Sequence, residues 1–140
     1  MSSLLEPLLP YVPELALVLR VVVGVSLMIH GRPKLSGEGK KGAISFMTSQ
    51  GVPGSAAVLT GILEFFGGIF LVIGLIVPVV ALFYMIQFGS IIALKGGKMK
   101  MRYIDPGKPN YEIDVTYFLL ALVLLVVGAG AFSLDGLLGL

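Results

Sequence analysis

The chain has 140 residues, 56% of them hydrophobic and 13% charged, with a mean hydropathy of +0.99; soluble domains carry roughly 45–50% apolar residues. A water-soluble globular domain is all but excluded, and the length suits one domain in which four spans of about 20 residues use more than half the chain. There is no cysteine and one histidine, which removes disulfides, thiol redox chemistry, Cys-ligated iron-sulfur centres, thiolate zinc sites and a haem held by two histidines of this chain. The sequence has no metal, haem or flavin motif.

Residues 4–12, with Pro7 and Pro10, read as an interfacial lead-in. No basic stretch and no small-residue cleavage site precede the first span, so a removable signal peptide is not expected. Hydropathy predicts four spans, about 14–31, 56–75, 77–94 and 113–131. Each lacks the polar alternation of a barrel strand and reads as a helix. Pro13 opens the first, Ser55 is a candidate N-cap of the second and Pro78 opens the third. The link at Ile76 has room only for a tight helical hairpin. The predicted fold is all-α, an integral membrane four-helix bundle forming a single transmembrane domain over 1–140.

All basic residues but Arg20 fall in two segments: Arg32, Lys34, Lys40 and Lys41 after the first span, then Lys95, Lys98, Lys100, Arg102 and Lys108 after the third. Both loops must share one side. By the positive-inside rule that side is the cytoplasm, which puts both termini outside a cell membrane crossed several times. Between the first two spans, Lys40 to Gln50 gathers Ile44, Met47 and Phe46 on one side; a short interfacial amphipathic turn and an ordinary loop both fit. Lys98 to Asn110 is polar and rich in Gly and Pro nearby, and reads as a mobile loop. Gly37-Glu38-Gly39-Lys40-Lys41-Gly42 reproduces the dinucleotide-binding glycine pattern. That pattern has meaning only between a strand and a helix, and here it follows a membrane helix. Nucleic acid is not an expected partner, because orienting the spans already accounts for the basic loops.

Charged groups near a bilayer centre cost roughly 2.5–3.5 kcal/mol even on insertion scales, so they need compensation. Arg20 in the first span and Glu64 in the second come out within one helical turn in depth when measured from the hydropathy boundaries. Adjacent antiparallel helices are expected to pair them, helped by small residues at Gly24, Gly31, Thr60, Gly61, Gly67 and Gly68. The pair fits the wall of a ligand pocket and equally a register-fixing contact. His30, at the end of the first span, can reach a ligand or cap its helix. Tyr84, Gln87 and Ser90 form a polar stripe at helical spacing, which serves either interhelical hydrogen bonding or as donors to the carbonyl oxygens of a lipid-soluble ligand. Glu112 and Asp114 open the fourth helix and suit its dipole.

In order along the chain, Arg20 and Gly24, His30-Gly31-Arg32-Pro33-Lys34-Leu35, Phe46, Gly51 and Pro53, Gly61-Ile62-Leu63-Glu64 with Gly67, Gly68 and Gly74, Glu112, and Gly128 through Asp135 together resemble the DoxX family of small four-span membrane proteins, which includes the DoxD-type subunit of thiosulfate:quinone oxidoreductase. The resemblance covers nearly the whole chain. It implies a four-helix membrane bundle and, for one branch, a part in quinone reduction. Electrons passing through such a chain must be carried by a quinone or a partner. The leading expectation is a protein that binds a quinone-like or lipidic molecule within its bundle, either as a quinone-linked oxidoreductase subunit or as a small oxidoreductase, with Arg20, Glu64, His30, Tyr84 and Gln87 as ligand-binding residues. The expected partners are membrane lipid or quinone and a partner membrane subunit or further copies of the chain. The alternatives are a lipid-binding or complex-assembly protein without turnover and, third, a small proton-coupled exporter.

Overall fold

The computed structural model describes residues 6–140, so Leu4 and Leu5 of the expected lead-in lie outside the described residues. A 3-10 turn, Glu6–Tyr11, leads into α1 (Val12–Gly31), whose first turn holds Pro13 where a missing N–H costs nothing. A second 3-10 turn, Arg32–Lys34, is followed by α2 (Gly37–Ser49), α3 (Ser55–Ile73), α4 (Val77–Ala93), one π-helical turn (Leu94–Lys98), α5 (Glu112–Val127) and α6 (Leu134–Leu138). The glycine-rich Gly37–Gly42 stretch is thus the first half of a helix. Ser55 is the first helical residue of α3 rather than its cap, which is Gly54.

Glu6–Lys34, Ser55–Ile73 and Val77–Lys98 are long and apolar enough to cross a membrane. The fourth helix is shorter than hydropathy implies: α5 has 16 residues, about 24 Å. It stops at Gly128, whose φ of +75° and ψ of −162° belong to a region open to glycine and not to larger residues. The rest of the expected span, Gly128 to Ala131, folds back with Phe132 and Ser133 over the end of the bundle instead.

Packing follows two helix pairs. α1 lies against α3 and α4 against α5, with α1 also touching α5, while α3 and α4 diverge beyond their turn. The α1–α3 contact is backbone to backbone. A Cβ added at Gly24 would sit 2.6 Å from the Gly68 carbonyl oxygen, and one added at Gly31 would sit 2.7 Å from the Gly61 carbonyl oxygen. On the other side, Leu27, Leu71, Ala81, Phe88, Tyr117 and Leu124 form the buried core, with Phe88 stacked on Tyr117 at 5.1 Å. The outer surface is apolar almost throughout, with Val18, Ile29, Phe66 and Ile86 more than half exposed, as a helix surface facing lipid requires.

A glycine pair that lets two backbones touch gives a sharp expectation. Gly24→Ala should cost about 1–3 kcal/mol of stability through overpacking. Gly42→Ala, which enters open space on α2, should be neutral or stabilising by up to about 1 kcal/mol. Thermal unfolding in detergent checks both; equal effects would show that the α1–α3 approach is not tight.

Candidate functional site

The expected ion pair between Arg20 and Glu64 does not form. Arg20 is fully buried and donates from Nη1 to the Leu71 carbonyl at 3.2 Å and from Nη2 to the Phe132 carbonyl at 2.6 Å. Leu71 lies seven residues beyond Glu64 on α3, about 10 Å farther along the axis. The glycine contacts fix this register: they set Gly31, not Arg20, beside Glu64. Depth counted from hydropathy boundaries missed the offset because α3 starts beyond the end of α1, alongside the Arg32–Lys34 turn.

At the hairpin end, Arg20 joins a structural lock. Asp135 accepts from the backbone N–H groups of Ile76 (2.6 Å) and Val77 (2.8 Å), while its own N–H donates to the Gly74 carbonyl at 2.9 Å. A carboxylate thus caps the positive end of α4. It also sits close enough to Arg20 to attract the guanidinium.

Glu64 belongs to a different cluster at the basic end. Lys34, presented by the 3-10 turn after α1, donates to both of its carboxylate oxygens at 2.8 and 2.6 Å. Gln87 Nε2 donates to Glu64 Oε1 at 3.1 Å. A second ion pair stands beside it: Lys95, carried on the π-turn, donates to Asp114 Oδ2 at 2.6 Å and to the Asn110 carbonyl at 3.2 Å. These two pairs border two cavities. One, of about 140 Å³, also touches His30, Phe88 and Tyr117; the other, of about 180 Å³, touches Phe46, Met47 and Thr60. Formal charge around the four side chains sums to zero.

The remaining site residues fall into distinct roles. His30 donates from Nδ1 to the Ser26 carbonyl one turn back at 2.8 Å, and its ring lies edge-on to Tyr117, whose hydroxyl bonds Ser26 Oγ. Tyr84 donates to the carbonyls of Leu63 (3.0 Å) and Glu64 (3.2 Å), crossing from α4 to α3 over Gly67. Ser90 is spent on the Ile86 carbonyl. Of the five expected residues, then, Glu64, Gln87 and His30 gather at one end, Tyr84 lies farther along the α3–α4 groove, and Arg20 is at the other end.

Away from the charges, the divergence of α3 and α4 leaves an apolar groove in two connected parts. The first, about 260 Å³, is lined by Met47, Leu59, Leu63, Phe83, Gln87 and Ile91. The second, about 210 Å³, shares Leu63 and Phe83 and continues past Phe66 and Phe70 toward Ile76. Met47, Thr60 and Ile91 border both the groove and the charged cavity, so the polar end and the apolar groove lie side by side. Lys34, Lys95 and Asp114 were not singled out from sequence as site residues. The available signal was placement: lysines just past a span end can bend back to a carboxylate within it.

A family model described as DoxX matches residues 15–95. A Bacillus subtilis (strain 168) protein named "Putative oxidoreductase CatD" is 31% identical over 120 residues, covering 85% of this chain and 83% of that protein. No solved structure matches the chain.

The observed pairing predicts an energetic pattern. Lys34→Met and Glu64→Gln should be strongly non-additive, each single change costing up to about 3 kcal/mol, the low end for a buried pair because the Lys34 side chain is 30% exposed. Arg20→Met and Glu64→Gln, with no shared partner, should add to within about 0.5 kcal/mol. Double-mutant cycles by thermal unfolding in detergent distinguish the two, and coupling between Arg20 and Glu64 would refute the register.

Proposed function

Because the chain belongs to the DoxX family, we propose that this membrane protein holds a quinone-like amphiphile in its helix bundle, with the head beside Lys34, Glu64 and Gln87 and the tail in the α3–α4 groove. The observation that carries this reading is the adjacency of a charged, cavity-containing end to an apolar groove along the seam of two membrane helices. Pockets of that make-up, mostly apolar with a few convergent polar groups, suit small amphiphiles. Charge supports a neutral head. Lys34 and Lys95 are already matched by Glu64 and Asp114, so a phosphate head would have to break a pair to find a cation, whereas a quinone or quinol leaves both intact. Lys34 uses two N–H groups on Glu64, and no bond among the described residues takes its third, which suits a ligand oxygen.

The role that follows is positioning. Lys34 and Gln87 orient the head, the groove excludes water from it, and Glu64 with His30 and Tyr117 offers proton-exchanging groups at its edge. The relative's name supports an oxidoreductase setting for such a site. In that setting the chain serves as a membrane component of a complex of the thiosulfate:quinone oxidoreductase type, in which a partner subunit delivers the electrons. A lipid-binding or assembly protein without turnover would use the same pocket.

Two outcomes are expected. Purified wild-type protein should carry an extractable isoprenoid quinone by mass spectrometry and bind decylquinone, and Lys34→Met should reduce binding at least about tenfold. Recovery of no lipid and no decylquinone binding would overturn the reading. For orientation, we propose the basic end in the cytoplasm. In this cysteine-free chain, Lys41→Cys and Lys108→Cys should resist an impermeant thiol reagent in intact cells while Leu140→Cys labels; the reverse pattern would invert the topology.

A further inference from the structure

Resting on that reading, we infer that the site prefers the reduced, hydroxyl-bearing form of its ligand, a hydroquinone, over the quinone. The hydroxyl donors of the polar stripe on α4 are already spent. Tyr84 spends its proton on the carbonyls of Leu63 and Glu64, Ser90 spends its own on Ile86, and Gln87 turns one of the two N–H groups of Nε2 to Glu64. The stripe also holds an unmatched acceptor. Gln87 Oε1 is buried and has no hydrogen-bond partner among the described residues, in a residue only 8% exposed.

The amide orientation is dictated by its neighbour. An ionised carboxylate only accepts, so the NH2 group must face Glu64 and the oxygen must face away. Gln87 is also the residue through which the groove meets the Glu64 cluster. A buried acceptor without a donor costs free energy comparable to a lost hydrogen bond, and a ligand that supplies the donor recovers it. A hydroquinone does so with one O–H. A quinone has only acceptor oxygens and leaves Gln87 Oε1 bare. Sites built to hydrogen-bond a ligand hydroxyl discriminate against analogues lacking it for this reason.

Titration calorimetry of the detergent-solubilised full-length protein, under anaerobic conditions, tests this with three ligands sharing one tail: decylhydroquinone, decylquinone and the dimethyl ether of decylhydroquinone. Wild type should bind decylhydroquinone about tenfold more tightly than either of the others. In Gln87→Met, which keeps the length and removes the acceptor, the three affinities should converge. Equal binding of all three by wild type would overturn the inference while leaving the proposed ligand class standing. A preference retained in Gln87→Met would overturn the assignment to Gln87. Binding of none would overturn the proposed function itself. The wild-type series decides the preference even if Gln87→Met does not fold.

Discussion

The touching backbones of α1 and α3 are the constraint on which the other contacts depend. With no hydrophobic drive between helices in lipid, association rests on close packing and interhelical hydrogen bonds. Gly24 against Gly68 and Gly31 against Gly61 provide the close packing. Once those four positions are in register, Arg20 can reach only the Leu71 level of α3, and Glu64 lies open toward the Arg32–Lys34 turn. The same few ångströms of approach therefore separate a structural lock at one end from a polar cavity at the other.

Each intramembrane charge is compensated differently, and the difference matches its surroundings. Arg20 is sealed, bonded to two main-chain carbonyls and near Asp135, an arrangement suited to holding the Gly128–Ser133 segment over the hairpin. Glu64 meets a lysine whose stem starts outside the helix and whose side chain is still partly exposed. Lysines at span ends lower the cost of such pairs because the ammonium keeps access to the interface. A sealed guanidinium fixes structure; a half-open ion pair beside a cavity leaves a lysine N–H free to meet a ligand oxygen with the pair intact.

The sequence made the periodic features legible. Long apolar runs, Pro13, Pro78 and the Ile76 link located three helices to within two residues or so of their observed ends, and small residues marked the helix pair that packs most closely. Register was not legible, because depth counted from hydropathy edges takes both helices to start at the same level, and α3 does not. The fourth span was overextended because Gly128–Gly130 scores as apolar while its positive φ ends the helix. Lys34 was hidden by a sufficient alternative explanation: a basic residue after a span already satisfies topology. Gln87 was legible as an inward polar group, but its sense was not. Whether it gives or takes a hydrogen bond depends on Glu64 standing next to it, and that is again a consequence of register.

The groove itself needs a physical reason to persist, since two apolar helices joined by so short a turn would be expected to close on each other. Tyr84 supplies one. Its ring crosses from α4 onto the bare backbone of Gly67, and its hydroxyl is anchored on two carbonyls of α3, so the helices are held one aromatic ring apart rather than in direct contact. Phe88 and Tyr117 continue the same line of rings toward α5, which stiffens α4 from behind. Gly67 differs in this from Gly24 and Gly68. There, a missing side chain admits another backbone; here it admits a spacer. A family of glycines on one helix thus does two opposite things, closing the α1–α3 face and propping open the α3–α4 face, and the residue opposite each glycine decides which.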